Sequence, residues 1–190
     1  MLVLLMNIAA PLSGSDPAQI DQYLAQIAAG DRDALAQLYE STHAAVYGFA
    51  LSLLKNAQDA QDVLQDTFVQ VFLAAGQYRP QGKPMAWLMT IARNQAMMRL
   101  RSRGRTVLMQ PEDWHEAFAD KPEVTQEDLV TLHALLEALG DEERQIVTLH
   151  ALTGLKHREI AKMMDLALST VLSKYHRAIK KLANLLKEAE

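Results

Sequence analysis

The sequence predicts an all-α protein, two small helical domains joined by a flexible acidic linker, and three observations carry that expectation. Ala, Leu, Gln, Glu and Met are abundant while β-branched runs are scarce, a composition that favours helix over strand. Apolar residues recur at helical spacing through two blocks, residues 20–105 and 126–190. Between the blocks that periodicity fades, and Pro111, Pro122 and many acids take its place. A chain of 190 residues, 49% hydrophobic, can bury a core in one large or two small domains.

The elements follow in order. Residues 20–29 read as a short amphipathic helix ended by Gly30, and Asp31 then caps a long helix carrying Leu35, Leu38, Tyr39, Val46, Tyr47, Phe49, Ala50, Leu53 and Leu54. Lys55 and Asn56 close it. A third helix over 60–75 turns Val63, Leu64, Phe68, Val71 and Phe72 inward. Residues 76–84 hold too much Gly and Pro for helix and form a loop. Pro84 opens a fourth helix, running to about residue 103. Residues 106–125 are the linker, in which Trp114 and Phe118 either dock on a domain or stand in solvent. Helices resume near Thr125 and break at Gly140 and Asp141. They end in a helix-turn-helix pattern from Gly154 to Leu182, with Asp165 at its corner, Ser169 as the expected cap of the second helix, and Ile160, Met164, Val171 and Ile179 inward.

The apolar start, residues 1–10, lacks the basic flank of a secretory signal and is too short to span a bilayer. Residues 1–15 are expected to be a disordered leader, with Met6 as an alternative start. No membrane insertion is expected, and the absence of cysteine fits a reducing cytoplasm.

The net charge of −4 conceals a strong alternation. Residues 1–78 carry −6, residues 79–105 carry +7 without one acid, residues 106–143 carry −10, and residues 144–190 carry +5. Phosphate attraction acts within a Debye length of about 8 Å, so the blocks matter and the total does not. Two basic blocks predict two DNA-contacting regions.

Four segments carry chemistry. Asp59, Asp62 and Asp66 put three carboxylates on one helical face, beside Gln65. On residue chemistry alone, that face is either solvated or a contact surface. No histidine or further ligand accompanies it, so no metal is expected. The loop offers Tyr78 for stacking, Arg79 and Lys83 for phosphates and Gln81 for base edges, although a plain connector is the alternative. Next come Trp87, Arg93, Asn94, Arg99, Arg101, Arg103 and Arg105; the arginines share no single stripe, so they read as a phosphate-holding patch. In the last segment Ser169, Thr170, Lys174 and Arg177 lie early on the second helix, where base edges are reached, with His157, Arg158, Lys180 and Lys181 placed for phosphates.

The ordered series resembles the extracytoplasmic-function (ECF) sigma factors of the sigma-70 family. Residues 30–39 (GDRDALAQLY), 59–68 (DAQDVLQDTF), 86–94 (AWLMTIARN) and the helix-turn-helix stand in that family's order. The resemblance implies a transcription initiation factor with sigma domain 2 over 16–105, a linker over 106–125 and sigma domain 4 over 126–190. It implies that Asp59, Asp62, Gln65 and Asp66 dock on the clamp helices of core RNA polymerase. Tyr78, Arg79, Gln81, Lys83, Trp87, Arg93, Asn94, Arg99, Arg101 and Arg103 would meet −10 promoter DNA. His157, Arg158, Ser169, Thr170, Lys174, Arg177, Lys180 and Lys181 would meet −35 DNA. Its implied partners are core polymerase, at the clamp helices and the flap, promoter DNA and an anti-sigma factor. Lys156, Asp165, Ala167 and Leu172 depart from the family pattern, in which Ser, Gly, a cap residue and a base are usual, and imply weaker upstream reading.

No enzyme is expected, and no cofactor. The six histidines lack metal-ligand spacing, and there is no phosphate-cradling Gly loop or nucleophile motif. A lone helix-turn-helix repressor leaves residues 30–105 unexplained. The competing reading is a sigma-like decoy that sequesters an anti-sigma protein, but a decoy has no need of seven bases over 79–105.

Overall fold

The computed structural model describes residues 16–102, 109–121 and 123–188. Eight α-helices occur among them: α1 Pro17–Ala28, α2 Arg32–Leu54, α3 Ala57–Ala74, α4 Pro84–Ser102, α5 Gln126–Glu137, α6 Asp141–Thr153, α7 His157–Met164 and α8 Leu168–Glu188. Three short 3-10 turns, Ala75–Gln77, Pro111–Trp114 and Glu116–Phe118, complete them. The expected leader and Arg103 and Arg105 lie outside the described residues.

Local chemistry sets the boundaries. The Asp31 carboxylate accepts the amides of Asp33 and Ala34, at 2.8 and 3.1 Å, and so opens α2. Lys55 turns left-handed (φ 52°) to end that helix, and the Asn56 side chain takes the Asp59 amide at 2.8 Å to start α3. Thr125 and Asp128 cap each other at the head of α5. Gly154 (φ 69°) and Asp165 (φ 54°) turn the chain at either end of α7. Asp165 therefore occupies the left-handed corner that glycine would fill more cheaply.

α1–α4 surround Leu24, Leu38, Phe49, Leu64, Leu88 and Met89, all fully buried. α5–α8 surround Leu129, Ile146, Leu149, Ile160, Val171 and Ala178. The two units are packed against one another, chiefly α2 on α6. Gly48 makes that approach possible: a Cβ there would stand 3.1 Å from the Leu152 side chain and 3.3 Å from that of Ala117. Ser52 bonds Thr148 across the buried seam at 3.3 Å, and Lys55 pairs with Glu137 at 2.8 Å.

The acidic linker departs from the flexible tether expected of it. Trp114 is wholly buried, Phe118 nearly so, their rings 6.4 Å apart. Tyr47 donates to the Asp113 carbonyl at 3.0 Å, and Gln61 donates to Glu116. Two apolar residues in a polar stretch thus become a wedge under α2, burying more apolar area than a solvated linker offers.

Candidate nucleic-acid and protein interfaces

The acidic stripe of α3 is exposed at Gln65 and Asp66. Asp59 and Asp62 are held by Arg99, whose Nε lies 3.0 Å from Asp59 and whose second arm bonds Asp62. Arg99, expected at phosphate, is thus directed at the carboxylates one helix away. The stripe continues into apolar side chains: Val69 (56% exposed), Phe72 (38%) and Leu73 (66%). Phe72 is therefore not core, as its spacing suggested. Phe68 is, packed edge-on to Tyr39 at 4.9 Å. Val69 and Leu73 were missed, although Asp62, Asp66, Val69 and Leu73 form an i, i+4, i+7, i+11 ladder on α3. Such a face is suited to a protein partner, with an apolar centre and charged flank.

The loop before α4 is held by its aromatic residue. Tyr78 donates its hydroxyl to Asp21 of α1, and its ring tilts 57° against Trp87 at 5.1 Å. Burial, then the Asp21 hydrogen bond, pushes its phenol well above the usual range. The ring is thus braced from beneath rather than free to swing. Gly82 supplies the left-handed turn (φ 66°). Arg79 rests on the carbonyls of Gly76 and Tyr78, at 3.4 and 3.2 Å, and Gln81 is exposed. Lys83 reaches Glu159 of α7 at 3.9 Å. Trp87 is half-buried; Arg93 bonds Gln145 of α6 at 3.2 Å rather than facing open solvent; Asn94 and Arg101 are exposed.

The helix-turn-helix differs from expectation in three places. α8 begins at Leu168, with the amides of Thr170 and Val171 on the Ala167 carbonyl, so Ser169 lies inside the first turn and caps nothing. Ile179, expected inward, is 39% exposed. His157, expected at phosphate, is half-buried, with its ring 4.4 Å from Tyr175 and 4.6 Å from His150. Burial, then the neighbouring His150 and His176, holds its pKa below the usual 6.5. Lys156 has no side chain able to cap α7, and its amide is taken by Glu159 at 2.9 Å. Ser169, Arg158 and Lys180 are exposed and Thr170 half-buried. Lys174 pairs with Glu142 at 2.9 Å, Arg177 with Glu143 at 3.9 Å, and Lys181 bonds the Ala138 carbonyl. Behind these residues, an apolar hollow of about 210 Å³ opens between α5, α6 and α8, walled by Leu132, Leu136, Val147, Tyr175, Ile179 and Leu182.

Among the described residues no three His, Asp or Glu side chains are placed to hold a metal ion. No helix there is long and apolar enough to cross a membrane.

Residues 38–106 match sigma-70 region 2, and residues 129–182 match sigma-70 region 4. The ECF RNA polymerase sigma factor SigK of Mycobacterium sp. (strain KMS) is 30% identical over 194 residues, covering 98% of both chains. SigE of Mycolicibacterium smegmatis is 35% identical over 147 residues, 74% of this chain and 57% of that one. The structure of CnrH in complex with the cytosolic domain of CnrY is similar with a TM-score of 0.66 at 26% identity, covering 90% of this chain and 99% of that one. RpoE of Bartonella quintana, solved with the anti-sigma factor NepR, shares the fold at a TM-score of 0.63 and 24% identity, covering 80% of this chain and 96% of that one. Two sigma-70 regions in sequence order, with 30% identity to SigK across 98% of both chains, place the chain in the extracytoplasmic-function sigma factors of the sigma-70 family.

Proposed function

We propose that this sigma factor docks on core RNA polymerase through the α3 stripe and directs it to two-part promoters through the loop before α4 and the helix-turn-helix. The observation that carries the reading is the acidic-to-apolar ladder on α3, with Asp66, Val69 and Leu73 exposed and Asp62 half-buried beside Arg99, on a helix whose opposite face is core. It fits the polymerase clamp helices. The hollow walled by Leu132, Val147 and Ile179 fits the apolar tip of the polymerase flap. Residues 16–105 form the domain that docks and opens the −10 element, residues 126–190 the domain that grips −35 DNA, and residues 106–125 the tether. The protein performs no catalysis itself and works in the cytoplasm, where polymerase is.

In the packed state α7 lies across the −10 loop, with Glu159 at Lys83, and Arg93 is occupied by Gln145. Promoter binding therefore requires the two domains to part and the Trp114 wedge to leave α2. An anti-sigma protein would hold the free factor by covering the same α3 stripe and α5–α8 hollow; RpoE was solved with the anti-sigma factor NepR, and CnrH with the cytosolic domain of CnrY.

Run-off transcription with core polymerase on a randomised promoter library tests the reading. Initiation on a definable promoter class is expected. Binding to core without initiation on any promoter would establish the decoy instead. Replacing Arg79, Gln81 and Lys83 together by Ala is expected to shift −10 preference; an unchanged preference would remove the loop from the site.

A further inference from the structure

Between the two domains lies a cavity of about 480 Å³, walled mainly by the first domain and closed on one side by α7. From the first domain come Tyr78, Arg79, Lys83 and Trp87, and from α7 come Arg158, Glu159 and Lys162. Four cations thus face one another around a single carboxylate. Only Lys83 is ion-paired, to Glu159 at 3.9 Å; Arg79, Arg158 and Lys162 have no carboxylate within 4 Å among the described residues. Bringing like charges together across a closing seam costs free energy, and an anion between them returns it.

We propose that this cavity is a binding site for a small organic polyphosphate, of the nucleoside di- or triphosphate class, that bridges the two domains and holds the factor closed. The cations supply forks and point charges for phosphate oxygens, arginine bidentately and lysine as a compact ammonium. The Tyr78 and Trp87 rings give a planar base a surface to lie on at the cavity edge. Free phosphate meets only the charged half of this wall, whereas a nucleotide meets both. The site exists only in the packed arrangement, since Arg158 and Lys162 leave with α7 when the domains part. Its ligand therefore competes with promoter opening, and by mass action it stabilises the closed form in proportion to its concentration. The regulatory consequence rests on the sigma-factor reading above; the binding itself does not.

Equilibrium dialysis of the full chain against labelled ATP, with tripolyphosphate, adenosine and AMP as competitors, reads the site directly. Saturable one-to-one binding is expected, with ATP ahead of tripolyphosphate, both well ahead of AMP, and adenosine unbound. Lys162→Glu, a change at an exposed position, is expected to weaken ATP binding at least tenfold while far-UV circular dichroism stays unchanged. Glu159→Gln, which keeps the acceptor for the Lys156 amide, is expected to tighten it several-fold. Binding is also expected to quench Trp87 fluorescence, and Trp87→Phe to abolish the quench. Absence of saturable binding at millimolar ATP overturns the proposal, as does equal binding by Lys162→Glu. Tripolyphosphate binding as tightly as ATP would remove the base from the site and leave a polyphosphate anchor alone. A factor that drives run-off transcription yet fails these binding tests keeps the function and loses the inference.

Discussion

Replacing Trp114 by Ala should weaken the fold and strengthen polymerase binding at once. Trp114 is fully buried, against Phe118 at 6.4 Å and about 3.6 Å from where a Gly48 Cβ would stand. Truncating a buried Trp costs about 3–5 kcal/mol. Its indole N–H has no acceptor among the described residues, so the change also removes a standing penalty of about 1–3 kcal/mol. The net loss is about 2 kcal/mol. It falls on the closed state alone, because separation of the domains exposes the ring in either protein. If the closed form dominates, the binding-competent fraction rises by the same free energy, about 30-fold. Anisotropy titration of labelled protein with core polymerase reads that gain, while glutamyl endopeptidase cleavage after Glu116 reads release of the wedge. Tighter core binding, faster cleavage and a lower Tm are expected together. Unchanged or weaker binding with Glu116 still protected would refute the closed-state reasoning.

Three further perturbations separate the surfaces. Leu73→Ala, at a site 66% exposed, should leave stability within about 0.5 kcal/mol. It should weaken core binding by about 1.5 kcal/mol, roughly tenfold, on the same anisotropy titration. Lys180→Ala should weaken DNA binding uniformly across sequences and lower the slope of log affinity against log salt by about 1. For His157, the folded-state pKa lies below the unfolded 6.5, so the unfolded chain takes the proton first. Stability is full above 6.5, is lost as pH falls from 6.5 through the folded pKa, and is constant below it. Thermal melts from pH 7.5 to 5.0 should show that decline, and His157→Phe should flatten it, because the stack on Tyr175 and His150 survives without the titrating group.

The helix ends were legible because their causes are local. Asp31, Asn56 and Thr125 accept amides within three residues of themselves, and Gly154 closes a turn by its own conformational freedom. Ser169 misled for a related reason: a cap must precede the helix, and α8 starts one residue earlier, where Leu168 stands. Phe72 and Ile179 carried apolar spacing yet remain exposed, since periodicity shows that a helix has a greasy face but not whether this chain or another covers it. The wedge was illegible because nothing local marks it. Trp114 finds Gly48 across 66 residues, and only a tertiary contact distinguishes a docked tryptophan from a solvated one.

The acids that open α6 act within the second domain, whether the two domains are packed together or apart. Asp141, Glu142 and Glu143 sit at the amino end of α6, where the helix dipole favours negative charge. From there Glu142 and Glu143 reach Lys174 and Arg177 on α8, the helix proposed to meet DNA. Arg144 locks the turn behind them, bonded to the Leu136 and Leu139 carbonyls at 2.9 and 2.8 Å. Exposed pairs of this kind are each worth about 0–1 kcal/mol, too little to block promoter DNA but enough to disfavour scattered contacts. A cation already paired with a carboxylate yields less when it meets DNA, so Glu142 and Glu143 lower the gain from any contact that Lys174 and Arg177 make there. The acidic block therefore does more than solvate a tether. It tempers the charge of the helix on which Ser169 and Thr170 are proposed to read base edges.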